Sequence, residues 1–193
     1  MRPAKRALDI LGAGLALVAA APLMAAVAVL IRASDGGPVF FRQVRIGRDG
    51  IPFRIWKFRT MMAGGEGAGP AVTAADDRRI TPLGATLRRH KLDELPQLLN
   101  ILAGDMSFVG PRPERPVFVE QLKQQIPFYA LREAVKPGLT GWAQIRYPYG
   151  ASVEDARNKL EFDLYYMKNG SLFLDMGIIF HTVRHVLLAR GAR

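Results

Sequence analysis

The uncharged run from Ile10 to Ile31 is the feature that most constrains this chain. An apolar stretch of about 20 residues is long enough to cross the hydrocarbon core of a bilayer. Three arrangements fit it. A signal peptide would use Arg2, Lys5 and Arg6 as its basic region and Ala19-Ala20-Ala21 as its small-residue site. Against that, Asp9 interrupts the entry, and the apolar run continues well past the alanines. A straight transmembrane helix is the second arrangement. The third is a helix that enters the membrane, bends and leaves on the same side. Basic residues flank both ends, with Arg32 opposing Arg2, Lys5 and Arg6, so the positive-inside rule gives little orientation. Pro22 falls near the middle, where it removes one helical hydrogen bond and displaces another carbonyl. Spanning helices also tolerate proline, so these residues leave the last two arrangements open.

The second constraint is the stretch Lys91 to Pro113, KLDELPQLLNILAGDMSFVGPRP. Leu95, Leu98, Leu99 and Leu102 follow the spacing of one buried helical face. Asp93 is placed to cap that helix, with Pro96 in its first turn. The positive end of the helix then lies beside Asp93 and Glu94 and any bound phosphate. Gly110-Pro111-Arg112-Pro113 closes the stretch as a stiff turn holding one guanidinium. Two carboxylates, a helix start and a fixed arginine suit a site for phosphate and metal. An N-cap with a neighbouring surface glutamate would account for Asp93 and Glu94 alone.

The chain carries 27 Lys+Arg against 17 Asp+Glu, a net charge of +10 over 193 residues. So basic a chain seeks polyanions: nucleic acid, an anionic bilayer or phosphate-rich ligands. It has no cysteine, which excludes a disulfide scaffold, a thiol nucleophile and a thiolate zinc site. Imidazole could come only from His90, His181 and His185.

Pro38 to Met61 reads as two β-strands around Arg48-Asp49-Gly50, a strong hairpin turn. For most of its arginines, Arg42, Arg45, Arg48 and Arg54 among them, a solvated basic face is a sufficient account. Ala63 to Ala71 is a glycine-rich loop, either a lid or a plain linker. Thr81-Pro82 starts a helix with Leu83 and Leu87 inward. Arg88, Arg89 and Lys91 then crowd Asp93, and cations so close favour its ionised form. Pro116 to Gln125 is a short helix. Trp142 to Tyr149 is an aromatic-flanked loop or strand. Ser152, with Asp155 at N3, caps a helix that Gly170 ends, with Val153, Ala156, Leu160, Leu164 and Met167 inward. In the last helix, Leu172 to Leu188, a face of Leu172, Met176, Ile179, Val183 and Leu187 opposes His181, Arg184 and His185. It suits a core helix as well as an interfacial one.

Taken in order, L-D-E-L-P-Q-L-x-N-x-L-x-G-D-M-S-x-V-G-P-R-P, Lys57-Phe58-Arg59-Thr60-Met61 and Lys136-Pro-Gly-Leu-Thr-Gly-Trp-Ala-Gln144 resemble the signature of the bacterial sugar transferases. These are monotopic phosphoglycosyl transferases, also called polyprenyl-phosphate hexose-1-phosphate transferases. The resemblance covers nearly the whole chain. It implies an α+β fold: a re-entrant membrane helix over residues 1–35, and a small catalytic domain over 36–193 with a basic β-hairpin and interfacial helices. The family breaks its membrane helix at a Ser-Pro pair; here the pair is Ala21-Pro22, without the hydroxyl. The resemblance implies that Asp93 attacks the β-phosphate of a UDP-sugar, releasing UMP, and that polyprenol phosphate then takes the phosphosugar to start a lipid-linked glycan. Mg²⁺ would bridge carboxylate oxygens of Asp93 and Glu94 and the phosphates, and Glu94 would orient it or act on the incoming phosphate. Lys57, Arg59, Thr60, Arg88 and Arg112 would bind phosphate, and Gln144 and Arg146 the base or phosphate. The implied location is the bacterial inner membrane, with the domain on the cytoplasmic face and membrane lipids as partners. Larger relatives carry further transmembrane helices and another domain ahead of this unit. The chain therefore reads as a short form or as the catalytic part of a longer protein. A non-catalytic basic module for lipid or nucleic acid would explain the charge but not Asp93, Glu94 and Arg112. Nucleic-acid binding is not expected, because the aromatics fall on apolar faces.

Overall fold

The computed structural model describes residues 3–65, 77–147, 150 and 152–187. It opens with helix α1 (Pro3–Asp35), helical through Ala21 and Pro22. One stripe of α1, Asp9, Ala13, Val27 and Ile31, is buried. Ala13 joins Ile55, Leu98, Ile101 and Met106 in one core cluster. Val27 and Ile31 join Phe58 and Leu87 in another. The opposite side is bare: Leu15 and Val18 are 74% and 77% exposed. Both ends of α1 are tied to the rest of the chain. Lys5 donates to Asp175 at 2.6 Å and to the Tyr166 hydroxyl at 3.1 Å. At the far end Asp35 receives both arms of the Arg59 guanidinium.

Strands β1 (Phe40–Ile46) and β2 (Pro52–Phe58) pair antiparallel, from Phe40 opposite Phe58 to Ile46 opposite Pro52. Asp49 and Gly50 turn the chain between them at φ 56° and 75°, a conformation that aspartate tolerates and glycine adopts freely. The free edge of β2 is covered by a side chain. Asn100 Oδ1 accepts from the Trp56 amide at 2.9 Å, and its Nδ2 donates to the Arg54 carbonyl at 2.8 Å. Asn100 belongs to α3 (Gln97–Ala103), so this amide sets β2 and α3 in register. Between them α2 (Pro82–Arg89) starts on Thr81, whose hydroxyl accepts from the Gly84 amide. A Cβ at Gly84 would stand 2.0 Å from the Thr60 carbonyl oxygen, so only glycine allows this approach of α2 to the end of β2.

Strands β3 (Ser107–Val109) and β4 (Gly138–Thr140) form a second, parallel pair. The crossover between them carries α4 (Pro116–Gln125) and a 3-10 turn, Tyr129–Ala134. Then come α5 (Trp142–Arg146), α6 (Val153–Asn169) and α7 (Leu172–Leu187). The architecture is mixed helix and sheet, α+β as expected.

Several local expectations need correction. Asp93 does not cap α3: it lies in a 3-10 turn, Leu92–Glu94, and Pro96 holds the N-cap position. The buried side of α3 is Gln97, Leu98, Asn100 and Ile101, while Leu99 is exposed. Leu95, Leu98 and Leu102 do pack against the core, but Leu99 gives way to Asn100, which buries to bond the backbone of β2. Trp142 to Arg146 is helical rather than loop or strand. In α6 the capping box of Ser152 and Asp155 is present, but Val153 is exposed. Residues 66–71 of the glycine-rich loop lie outside the described residues.

For α7, which suits a core and an interfacial role alike by sequence, packing sets the rotation. Asp175 and Ile178 face inward, and Thr182 bonds Thr140 at 2.7 Å. Polar anchors set its rotation, so Met176, Phe180 and Val183 face outward together with Phe173, which is 91% exposed. An outward apolar face is costly in water and suits a lipid boundary.

Candidate active site

Two residues past the end of α2, Lys91 adopts the left-handed conformation (φ 57°), which a non-glycine residue rarely does, and leads into the Leu92–Glu94 turn. That reversal turns Asp93 and Glu94 into the protein, where they are 7% and 8% exposed. Two neighbouring carboxylates cannot both stay charged there without cations. Glu94 receives them. Lys57, from β2, donates to its Oε1 at 2.7 Å. Arg112 reaches it with both terminal nitrogens, Nη2 to Oε1 at 2.6 Å and Nη1 to Oε2 at 3.4 Å.

Arg112 stands where it does because of the turn after β3. A Cβ at Gly110 would lie 2.4 Å from the Lys136 carbonyl oxygen, so the strand can seat against the Lys136–Gly138 segment only as glycine. The Gly138 amide then donates to Pro111 at 2.9 Å.

The two carboxylates are driven apart electrostatically. Burial pushes Asp93 up, the charge on Glu94 adds to it, and together they outweigh Lys57, Lys91 and Arg88, to about 6. Burial would raise Glu94 as well, but Arg112 and Lys57 more than reverse it and hold Glu94 well below the usual range. The expectation that the cations would dominate at Asp93 is therefore corrected in direction, although a group at about 6 is still mostly ionised at pH 7. Asp93 Oδ1 is buried with no protein hydrogen-bond partner. The pair thus keeps one carboxylate oxygen without a protein partner beside fixed positive charge.

Of the other expected residues, Arg88 and Thr60 join each other, Nε to Oγ1 at 2.8 Å, with Thr60 buried. Arg59 does not reach the carboxylates; it is buried and bonded to Asp35, Nη1 to Oδ2 at 2.9 Å. Gln144 and Arg146 also bond elsewhere. Gln144 donates to the Leu139 carbonyl at 3.3 Å, and the Arg146 guanidinium lies 4.4 Å from the Trp142 ring centre.

Sequence reasoning missed the supports: Asp35, Arg45, Asn100, Arg132 and Asp163. Asn100 left a trace, as a polar residue within an apolar helical run. Arg45 looked like surface charge because alternation on a two-stranded ribbon does not say which face is covered. Arg132 and Asp163 lie far apart in the chain and left no signal.

The site is thus a buried carboxylate pair clamped by two cations, in a chain that also carries one long apolar helix with a bare side. The profile of the bacterial sugar transferase family matches residues 1–189, and the chain belongs to that family. It is 48% identical over 189 residues to the UDP-N-acetylgalactosamine-undecaprenyl-phosphate N-acetylgalactosaminephosphotransferase of Aeromonas hydrophila, covering 98% of this chain and 45% of that protein. It is 44% identical to the UDP-glucose:undecaprenyl-phosphate glucose-1-phosphate transferase of Escherichia coli, covering 93% and 39%. A Caulobacter vibrioides protein of the same name is 42% identical, with 97% and 71% covered. The chain thus spans less than half the length of the first two relatives.

Proposed function

We propose that this chain transfers a sugar-1-phosphate from a UDP-sugar to a polyprenol phosphate at a membrane, releasing UMP, and so starts a lipid-linked glycan. The observation that carries this reading is the unequal carboxylate pair, Glu94 locked between Lys57 and Arg112 and Asp93 left with a buried oxygen that no protein group binds. Its relatives' names supply the substrate classes.

In this reading an Asp93 oxygen attacks the β-phosphorus of the donor. The bond from that phosphorus to the bridging oxygen breaks, and UMP leaves with that oxygen. The sugar-phosphate is then an acyl phosphate on Asp93. An oxygen of polyprenol phosphate attacks the same phosphorus, the bond to Asp93 breaks, and the carboxylate returns. Desolvation makes a carboxylate a competent nucleophile, and Arg112 and Lys57 stand where the negative charge collects.

Mg²⁺ fits Asp93, whose Oδ1 lacks a partner, better than Glu94, whose oxygens already meet cations. Held there, it would supply charge neutralisation to the leaving group. EDTA should abolish activity and Mg²⁺ restore it; full turnover in chelator would remove the metal.

The re-entrant arrangement of α1 belongs to this proposal. Its two ends bond to one globular body, through Lys5 and Asp35, while Leu15, Val18 and Leu23 are bare. A spanning helix would put Lys5 and Asp35 on opposite faces of the bilayer, where one globular body could not meet both. With the body on the cytoplasmic face of the inner membrane, cysteines at Ala4 and Ser34 should be labelled from that same side. Labelling from opposite sides would defeat the arrangement.

The decisive experiment is single turnover. Donor alone should release UMP in an amount no greater than the enzyme and add one sugar-phosphate to Asp93. Addition of polyprenol phosphate should remove it. UMP that appears only with the acceptor present would replace the covalent step by direct transfer.

A further inference from the structure

Arg112 touches Glu94, but its aim is set from behind. The carbonyl of Arg112 itself accepts from Arg132 Nη2 at 3.0 Å. The next carbonyl, that of Pro113, accepts from Arg45 Nη1 at 3.1 Å. The Ile46 amide donates to the Glu114 carbonyl at 2.9 Å and continues the contact along β1. Two guanidinium groups, one from β1 and one from the Tyr129–Ala134 turn, therefore hold successive carbonyls of the turn that presents a third.

Arg132 is itself fixed on its other sides. Its Nε and Nη2 meet Asp163 Oδ2 at 3.1 and 2.9 Å, and its Nη1 donates to the Tyr129 hydroxyl at 2.8 Å. Asp163 is 2% exposed and comes from α6, whose inner face otherwise packs Leu160 among apolar residues. A buried ion pair between apolar layers is seldom a net gain in stability over a hydrophobic pair of the same volume. What this one adds is direction, because a planar fork held on three sides can fix one carbonyl.

We propose that Arg132, oriented by Asp163, is a positioning residue for Arg112, with Arg45 as the second arm of the same support. The role rests on the reading of Arg112 as a contact for the donor's phosphates. Lysine at position 132 can keep the charge against Asp163 but cannot reach Asp163, Tyr129 and the Arg112 carbonyl at once. The fork of Arg112 would then lose its fixed direction while keeping its charge.

The test is a double-mutant cycle on the full chain in lipid nanodiscs, read by UDP affinity and by donor kcat and KM. R112A should weaken UDP binding, and R132K should weaken it about 5- to 20-fold, with the melting temperature changed little. In the R112A background, R132K should change UDP affinity by less than about 2-fold, because nothing is left to aim. The variant R132M/D163L, which replaces the ion pair by apolar volume, should fold and show the same loss as R132K. Equal multiplicative effects of R132K in both backgrounds, or a loss that follows melting temperature alone, would overturn the positioning role and leave Arg132 as a brace. A silent R112A would instead overturn the reading of Arg112 as a phosphate contact. The two failures are therefore separable.

Discussion

The carboxylate pair sits between two walls, each a short motif with an arginine third in line, that are held up differently. Lys57-Phe58-Arg59-Thr60 forms one and Gly110-Pro111-Arg112-Pro113 the other, and each gives Glu94 one cation. The first wall leans on α1: Phe58 packs with Val27 and Ile31, and Arg59 is bonded to Asp35. The second leans on the globular interior, through Arg45 and Arg132. Arg59 and Arg112 thus stand in comparable motifs with unlike roles, one fastening the apolar helix and the other facing the site. The comparison teaches that this site reports on two bodies at once. One wall is set by how α1 is seated, the other by packing that needs no membrane.

Removing what lies between the walls should have the largest effect. Asp93→Asn keeps size and polarity and loses the charge, so adduct and turnover should vanish together. Substantial remaining turnover would reduce Asp93 to a metal ligand. On the interior wall, Arg112→Lys should cost roughly 10- to 1000-fold in kcat/KM, about 1.5–4 kcal/mol, because charge remains while the fork is lost. Near wild-type rates would make Arg112 a brace like Arg59.

On the anchored wall, Asp35→Asn leaves Arg59 buried with a weaker partner. We expect a loss of about 3- to 30-fold in kcat, larger in detergent than in nanodiscs, since lipid can still seat α1. Equal loss in both media would mean that this wall does not depend on the anchor.

The smallest effects are those of pH and stability at Asp93. Its folded value, about 6, is above the unfolded carboxylate value, so the fold binds the proton more tightly than the unfolded chain does. The associated stability is present at low pH and is lost as pH rises through about 4 to 6. Adduct formation should fall in the opposite direction, as pH drops below about 6. At pH 7 Asp93→Asn should therefore be more stable than the parent, on the order of 1–3 kcal/mol, while inactive. A destabilised variant, measured by denaturant unfolding in nanodiscs, would mean that local bonds outweigh burial at this carboxylate.

The sequence by itself determined the parts whose cause is local. The apolar length of 10–31, the start at Thr81-Pro82, the capping box at Ser152 and the helix Pro116–Gln125 all follow from neighbours a few residues apart. So did the membership of Asp93, Glu94, Lys57 and Arg112 in one cluster, because their motifs carry it. Tertiary structure decided whatever depends on a partner far along the chain. It rotated α7 to put Asp175 against Lys5, and so turned Met176 and Val183 outward while Ile179 packs on the core. It buried Gln97 and Asn100 on α3 in place of Leu99. It gave Arg59 to Asp35, and it made Arg45 and Arg132 supports for a turn rather than surface charge. It also inverted the expectation at Asp93, because burial has no signature in the chain until the surrounding elements close over it. Periodicity records which side chains avoid water, but a charged side chain's place depends on its counter-ion, and sequence distance does not reveal which one that is.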